Sequence, residues 1–260
     1  MMARGTSPLI DKNHHHTLMT ELHEVAGDRV PDDSVRVSFE RIFAGTNVNV
    51  VQDEIIELDS GSKKLISATG EYEYDYLLMC TGGDSSDFGI PGVKEHSLPL
   101  WSFNNAVHIR EHVQEMFYKA AHEKDSEKRK VYLTFVVAGS GFTGVEMLGE
   151  LIENIPLLAE EYKIDKDEVQ LINVEGLGTI LNMIPEKPRA KAQRYLEKKG
   201  VKILLNSLIV KAEKESFTLK DGTEFKCGTL IWTCGIKGGS FGKTSKLTIG
   251  PVDRLKLTRQ

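Results

Sequence analysis

The sequence predicts a soluble α/β fold organised on a parallel sheet. Three observations carry that expectation. From about residue 99 onward, short apolar runs alternate with longer amphipathic segments, the order that sets crossover helices between parallel strands. The run Val131–Ala138 reads as one continuous apolar strand, as expected where helices cover both faces of a sheet. The amphipathic segment Lys187–Lys199 ends at Gly200, a helix stop, and Val201–Leu205 follows as a strand.

The bulk properties agree. The chain has 260 residues, enough for one large domain or two small ones. Hydrophobic residues make up 40% and charged residues 27%, the balance of a globular protein. A net charge of −5 leaves no nucleic-acid footprint. Cys80, Cys227 and Cys234 are widely spaced in apolar runs and form no CxxC pair. They read as buried free thiols, without a dithiol redox centre or a zinc knuckle. Residues 1–20 lack the apolar core of a signal peptide, and no run reaches the ~18 apolar residues of a spanning helix. The expected location is cytoplasmic.

Taken in order, Leu9-Ile10-Asp11 is a short apolar run ending in an acid. A helix is expected near Ser34–Phe43. A strand at Val48–Val51 follows, which Ile55-Ile56 can continue, and the turn Asp59–Ser62 leads to Lys64–Ser67 as part of a meander. Tyr76–Cys80 reads as a buried strand running into Thr81-Gly82, and Ile90-Pro91-Gly92 marks a hinge. From Ser102 to about Glu123 the spacing of Ala106, Ile109, Val113, Met116 and Phe117 predicts a helix. The charged run His122–Lys130 reads as a solvated loop. After Val131–Ala138, a helix carries Val145, Leu148, Ile152 and Ile155 on one face, and Val169–Val174 is the next strand. Short strands at Ser207–Ala212, Ser216–Leu219 and Glu224–Cys227 form a second meander, with an Asp221-Gly222 turn. Leu230–Thr233 returns to the parallel sheet, and one short strand is expected near Leu247–Val252.

The chemistry concentrates at Gly139-x-Gly141-x-x-Gly144. The spacing alone is weak evidence, but a buried strand precedes it and an amphipathic helix follows. In that context Gly139 allows the tight turn, Gly141 lets the backbone approach a pyrophosphate, and Gly144 lets the helix pack on the strand. The helix N-terminus offers free N–H groups and partial positive charge to the phosphates. Glu175 ends the next strand and suits the adenosine ribose hydroxyls; as an acid it favours NADH over NADPH. It reads alternatively as a solvated strand-end glutamate. Glu146 either compensates the helix dipole or stands near a nicotinamide. Asp11 could serve as the ribose acid of a second dinucleotide fold. His14-His15-His16 suggests metal, but three adjacent residues cannot face one ion from an ordinary strand or helix, so no metal site is expected.

Five stretches, in order along nearly the whole chain, resemble the two-dinucleotide flavoprotein reductases, and among them the type II NADH dehydrogenases (NADH:quinone oxidoreductases). They are Leu9–Asn13 with His15 and His16, Tyr74–Gly82, Phe88–Gly92, Val136–Glu150 and Leu230–Gly238. The resemblance implies a Rossmann-like three-layer NADH-binding domain (residues 99–235) inserted in an incomplete Rossmann-like FAD-binding domain (residues 1–98), to which residues 236–260 return. It implies hydride transfer from NADH to FAD and electron transfer to a quinone or another small acceptor. Asp11, Thr81 and Gly82 would bind the flavin nucleotide, Gly139, Gly141, Gly144 and Glu175 would bind NADH, and Gly235 would be a further cofactor-binding residue. Glu146 would be the catalytic group beside nicotinamide and flavin. The family's first glycine turn, its later Gly-Asp segment and its C-terminal membrane-binding helices have no counterpart in these 260 residues. Membrane association at the inner face of the cell membrane and a homodimer are expectations from the family alone. The other function class is a non-catalytic NADH-binding fragment that cannot hold FAD.

Overall fold

A computed structural model describes residues 7–239, 241, 245 and 247–256. The chain forms two compact units. One comprises residues 1–18, 33–84 and 236–260, the other residues 19–32 and 85–235.

The larger unit is an α/β assembly on a five-stranded parallel sheet. Its strands lie in the order Lys202–Leu204, Gln170–Val174, Thr134–Ala138, Thr229–Trp232 and Leu98–Pro99. Thr134–Ala138 is buried at every position, which explains its lack of polar alternation. Alternate residues of these strands supply two cores. Val136, Ala138, Ile172, Val174, Leu230 and Trp232 pack with Ile209, Ala212, Phe217 and Leu219 of an antiparallel meander, Ile209–Glu213, Ser216–Leu219 and Glu224–Lys226. Phe135 points to the opposite face and stacks on Phe117 of the helix Phe103–His122 at 5.6 Å. The expectation of helices on both faces is therefore corrected: over these strands one face is covered by the meander. Its Phe217, stacked on Phe225, supplies the apolar surface a helix would have supplied.

Helix Phe103–His122 starts at a capping box in which Ser102 Oγ accepts from Asn105 N and Asn105 Oδ1 accepts from Ser102 N. Its expected face is buried. The expected loop at His122–Lys130 instead contains a helix, Ser126–Tyr132, capped by Asp125. Lys128 pairs with Glu123, and Arg129 forks onto Glu168, so the charges that suggested a solvated loop hold a short helix in place. The helix Phe142–Tyr162 passes through Pro156 and buries Leu148, Ile152 and Ile155. Helix Glu186–Lys198 ends before Gly200 as expected.

The smaller unit holds a parallel pair, Ser7–Asp11 with Val48–Gln52, and an antiparallel pair, His15–Thr17 with Arg36–Ser38. It also holds an antiparallel meander, Ile55–Asp59, Lys64–Ser67 and Glu71–Glu73. The expected helix over Ser34–Phe43 shrinks to Phe39–Ile42, because Arg36–Ser38 is drawn into a ladder and Ser38 Oγ caps Arg41 N. Tyr76–Cys80 is not a strand. Tyr76 and Leu78 are 96% and 91% exposed, and among the described residues no strand pairs with this run, so its backbone has no ladder to hold it. Cys80 is consequently exposed, against the expectation of three buried thiols; Cys227 is buried and Cys234 half-buried. Among the described residues near the end of the chain, Ile249 bridges Leu255, and Leu247–Val252 does not form the expected strand.

Candidate functional site

The glycine turn joins the central strand Thr134–Ala138 to helix Phe142–Tyr162, and its three glycines meet different surroundings. Gly139 has φ +96°, and a Cβ there would come within 3 Å of Thr233 Oγ1 and Cys234 Sγ. At Gly144 a Cβ would overlap the Gly139 carbonyl and press on Thr233 Oγ1. Both are required by the fold. At Gly141 a Cβ would meet nothing within 4 Å, and φ is an ordinary −68°. Only Gly141 is spared a side chain without a steric reason inside the protein, as a backbone approached by an outside group would be.

Asn173, fully buried on the adjacent strand, fixes the turn. Its Nδ2 donates to the carbonyls of Val137 (3.0 Å) and Gly139 (3.1 Å), and its Oδ1 accepts from Ser140 Oγ at 2.6 Å. Thr233 Oγ1 donates to the Ala138 carbonyl at 2.7 Å, and Leu181 N donates to the Ser140 carbonyl at 2.8 Å. Sequence reasoning passed over Asn173, Ser140 and Thr233. The signal available was one amide in an otherwise apolar strand, a residue that must find several partners when buried.

Glu175 stands at the end of the strand beside the turn. One carboxylate oxygen accepts from Ser140 N at 2.8 Å and the other from Leu177 N at 2.9 Å. Each oxygen keeps a lone pair for a further donor. Cys234 lies against Gly139, and burial, aided by the Glu175 charge, pushes its thiol up to about 12, so it stays a neutral thiol beside the turn.

Glu146 lies in the first turns of the helix with its side chain 45% exposed. Near it are His23 of the short helix Leu22–Ala26 and Glu150 one turn further on, groups that sequence reasoning did not single out. Gly235 has φ +71°, and Phe88 occupies the space a Cβ would need. In the smaller unit, Asp11 ends its strand and its Oδ1 accepts from Asn13 N at 2.8 Å. Thr81 and Gly82 lie in the same unit without regular structure; Gly82 has φ +68°, and their carbonyls face Gly239. The structure thus gathers Gly139, Gly141, Gly144 and Glu175 at one turn.

A sequence profile described as "Pyridine nucleotide-disulphide oxidoreductase" matches residues 9–258. The type II NADH:quinone oxidoreductase of Staphylococcus aureus is 33% identical over 242 residues, which cover 91% of this chain and 59% of that protein. The chain thus spans about three-fifths of the length of that relative. Among solved structures, NDH2 from Plasmodium falciparum in complex with NADH superposes with a TM-score of 0.86 at 21% identity, covering 95% of this chain and 53% of that one. The sulfide:quinone oxidoreductase of Aquifex aeolicus gives 0.76 at 13% identity, over 95% and 57%. These likenesses establish a Rossmann-like oxidoreductase fold. Among the described residues, no helix is long and apolar enough to cross a membrane. With its parallel sheet, its glycine turn and a profile match over almost its entire length, the chain belongs to the pyridine nucleotide-disulphide oxidoreductase family.

Proposed function

We propose that this chain binds NADH at the Gly139–Gly144 turn and works as a type II NADH:quinone oxidoreductase, passing hydride from NADH to FAD and electrons on to a quinone. The observation that carries the reading is the open space at Gly141 between two glycines that are sterically required. The pyrophosphate would rest over Gly141, facing the first N–H groups of helix Phe142–Tyr162, which have no intrahelical acceptors. Glu175 would take the adenosine ribose hydroxyls on its remaining lone pairs and disfavour a 2′-phosphate. Glu146, half-exposed on the same helix, would hold or move a proton beside the reacting rings. When bound, the flavin supplies a two-electron acceptor for hydride. Asp11 fits the ribose of that nucleotide as a strand-end acid with one oxygen not used by Asn13, and Thr81, Gly82 and Gly235 are proposed to line the same cofactor. In this reading residues 99–235 are the NADH-binding domain, and residues 1–98 and 236–260 belong to the flavin-binding domain. The whole assembly is proposed to work at the inner face of the cell membrane, as a homodimer.

A second reading, NADH binding without flavin, is favoured by the exposure of Tyr76 and Leu78, where the resemblance expects a strand approaching the flavin. One experiment separates the two. The purified chain is mixed with FAD, freed of excess, and examined for flavin absorbance and NADH-dependent dye reduction, with NADH affinity measured in parallel. Retained flavin with dye reduction supports the enzyme. NADH binding without either supports the second reading, and failure to bind NADH overturns both.

A further inference from the structure

Outside the glycine turn, a group of ionisable side chains in the larger unit runs from Glu146 into the protein. His23 Nδ1 lies 3.8 Å from Glu146 Oε2, and His23 Nε2 lies 3.9 Å from Glu150 Oε1. The two acids are four apart on helix Phe142–Tyr162, so they project on one side of it, and the imidazole stands between them. The side chains of His23 and Glu150 are 12% and 9% exposed, whereas that of Glu146 is 45% exposed.

We propose that His23 is the positioning residue that supplies protons to Glu146, with Glu150 holding its ring; this rests on the role proposed for Glu146 above. The arrangement follows the orienter–histidine logic of general acid–base sites, in which a buried carboxylate on one ring nitrogen sets the tautomer and leaves the other nitrogen to trade protons. Glu150 Oε1 faces Nε2 and favours a proton there, so the exchangeable proton sits on Nδ1, toward Glu146. In the transfer, the Nδ1–H bond of the imidazolium breaks, the proton joins Glu146 Oε2, and the carboxylate charge and the ring charge cancel. Solvent then returns a proton to Nδ1. Each gap exceeds a hydrogen bond by about 1 Å, which a side-chain rotation or one bridging water closes.

The surroundings suit such a group. Arg29 pairs at 2.9 Å with the same Glu150 oxygen that faces His23, and also with Glu24, so the buried acid keeps a cation beside the imidazole. Burial nevertheless pushes Glu150 above the ordinary carboxylate range, which its neighbours Arg29 and His23 oppose. On its own element His23 faces Glu21 and Glu24. Arg110 of the long helix packed against this element is committed to Asp28 and Asp32. A side chain on Gly27 would overlap Glu150, so the close approach of the two helices is itself part of the site.

The test is an NMR pH titration of His23 and Glu146 in the isotopically labelled chain, in wild type, Glu146→Gln, Glu150→Gln and His23→Gln, with NADH affinity measured separately. Removing either acid should lower the His23 midpoint by about half a pH unit or more, and His23→Gln should raise the Glu146 midpoint. A His23 midpoint that ignores both substitutions, or a Glu146 midpoint indifferent to His23→Gln, overturns the proposal. Glu146→Gln changes a half-exposed residue without altering its shape, so the test stands even where Glu150→Gln impairs folding. Absence of NADH binding in wild type would count against the dinucleotide reading, which the titration does not measure.

Discussion

The backbone N–H of Ser140 donates to the carboxylate of Glu175 at 2.8 Å, across 35 residues of sequence. The acid proposed to bind ribose is therefore also a strut of the glycine turn. Glu175→Ala should weaken NADH binding by roughly 1.5–3 kcal/mol, ten- to more than a hundredfold, and narrow the preference over NADPH. Titration with both nucleotides checks it; an unchanged preference would leave Glu175 as a strut alone.

Gly141 and Gly144 should separate function from folding. Gly141→Ala meets no atom within 4 Å, so stability should change by no more than about 1 kcal/mol while NADH affinity falls at least tenfold. Gly144→Ala would collide with the Gly139 carbonyl and should cost about 1–3 kcal/mol or prevent folding. Thermal melts and NADH titrations on the pair read both effects. Equal loss of stability in the two variants would remove the argument for a ligand over Gly141.

Asn173 is the keystone of the turn. Asn173→Ala removes a donor pair from two carbonyls and an acceptor from Ser140, and should cost about 1–3 kcal/mol. NADH affinity should fall with it, since the turn loses its fixed geometry. Denaturant melts and nucleotide titrations provide the measurement; full affinity in the variant would show that the turn is rigid without the amide.

Acid should act on the smaller unit through Asp53. Ser67, Thr69 and Tyr72 all donate to its Oδ2 at 2.5–2.6 Å, and these hydroxyls hold the carboxyl down at about 2. A folded value below the unfolded one of roughly 3.9 means that the stabilisation is complete above that pH and is lost as pH falls toward about 2. Asp53→Asn should flatten stability between those limits. His112 adds a milder slope. Burial lowers its value, so its contribution is present above roughly 6.5 and declines as pH falls below that. Melting curves recorded from about pH 8 to about pH 2 on the wild type and Asp53→Asn check the two windows.

The parallel sheet and the glycine turn were legible because each left a local signature: an unbroken apolar strand, spaced glycines, an amphipathic helix. Glu175 was legible as an acid at a strand end. Asn173 and His23 were not, since their roles depend on partners 33 to 36 and 123 to 127 residues away. The covering meander was seen as strands but not as the layer over Val136 and Trp232, because periodicity reports burial without naming what buries. Tyr76–Cys80 failed for the opposite reason. Its β propensity is real, but a strand exists only by pairing.

The parallel sheet is finished on one side by Leu98–Pro99, a strand of two residues against Ile231 and Trp232. A proline there has no N–H to offer, and so short a strand gives an incoming chain little to pair with. The parallel sheet is thereby shielded from edge-to-edge growth on this side. Replacing this corner with a longer, proline-free segment would put aggregation, rather than loss of nucleotide binding, first among its effects.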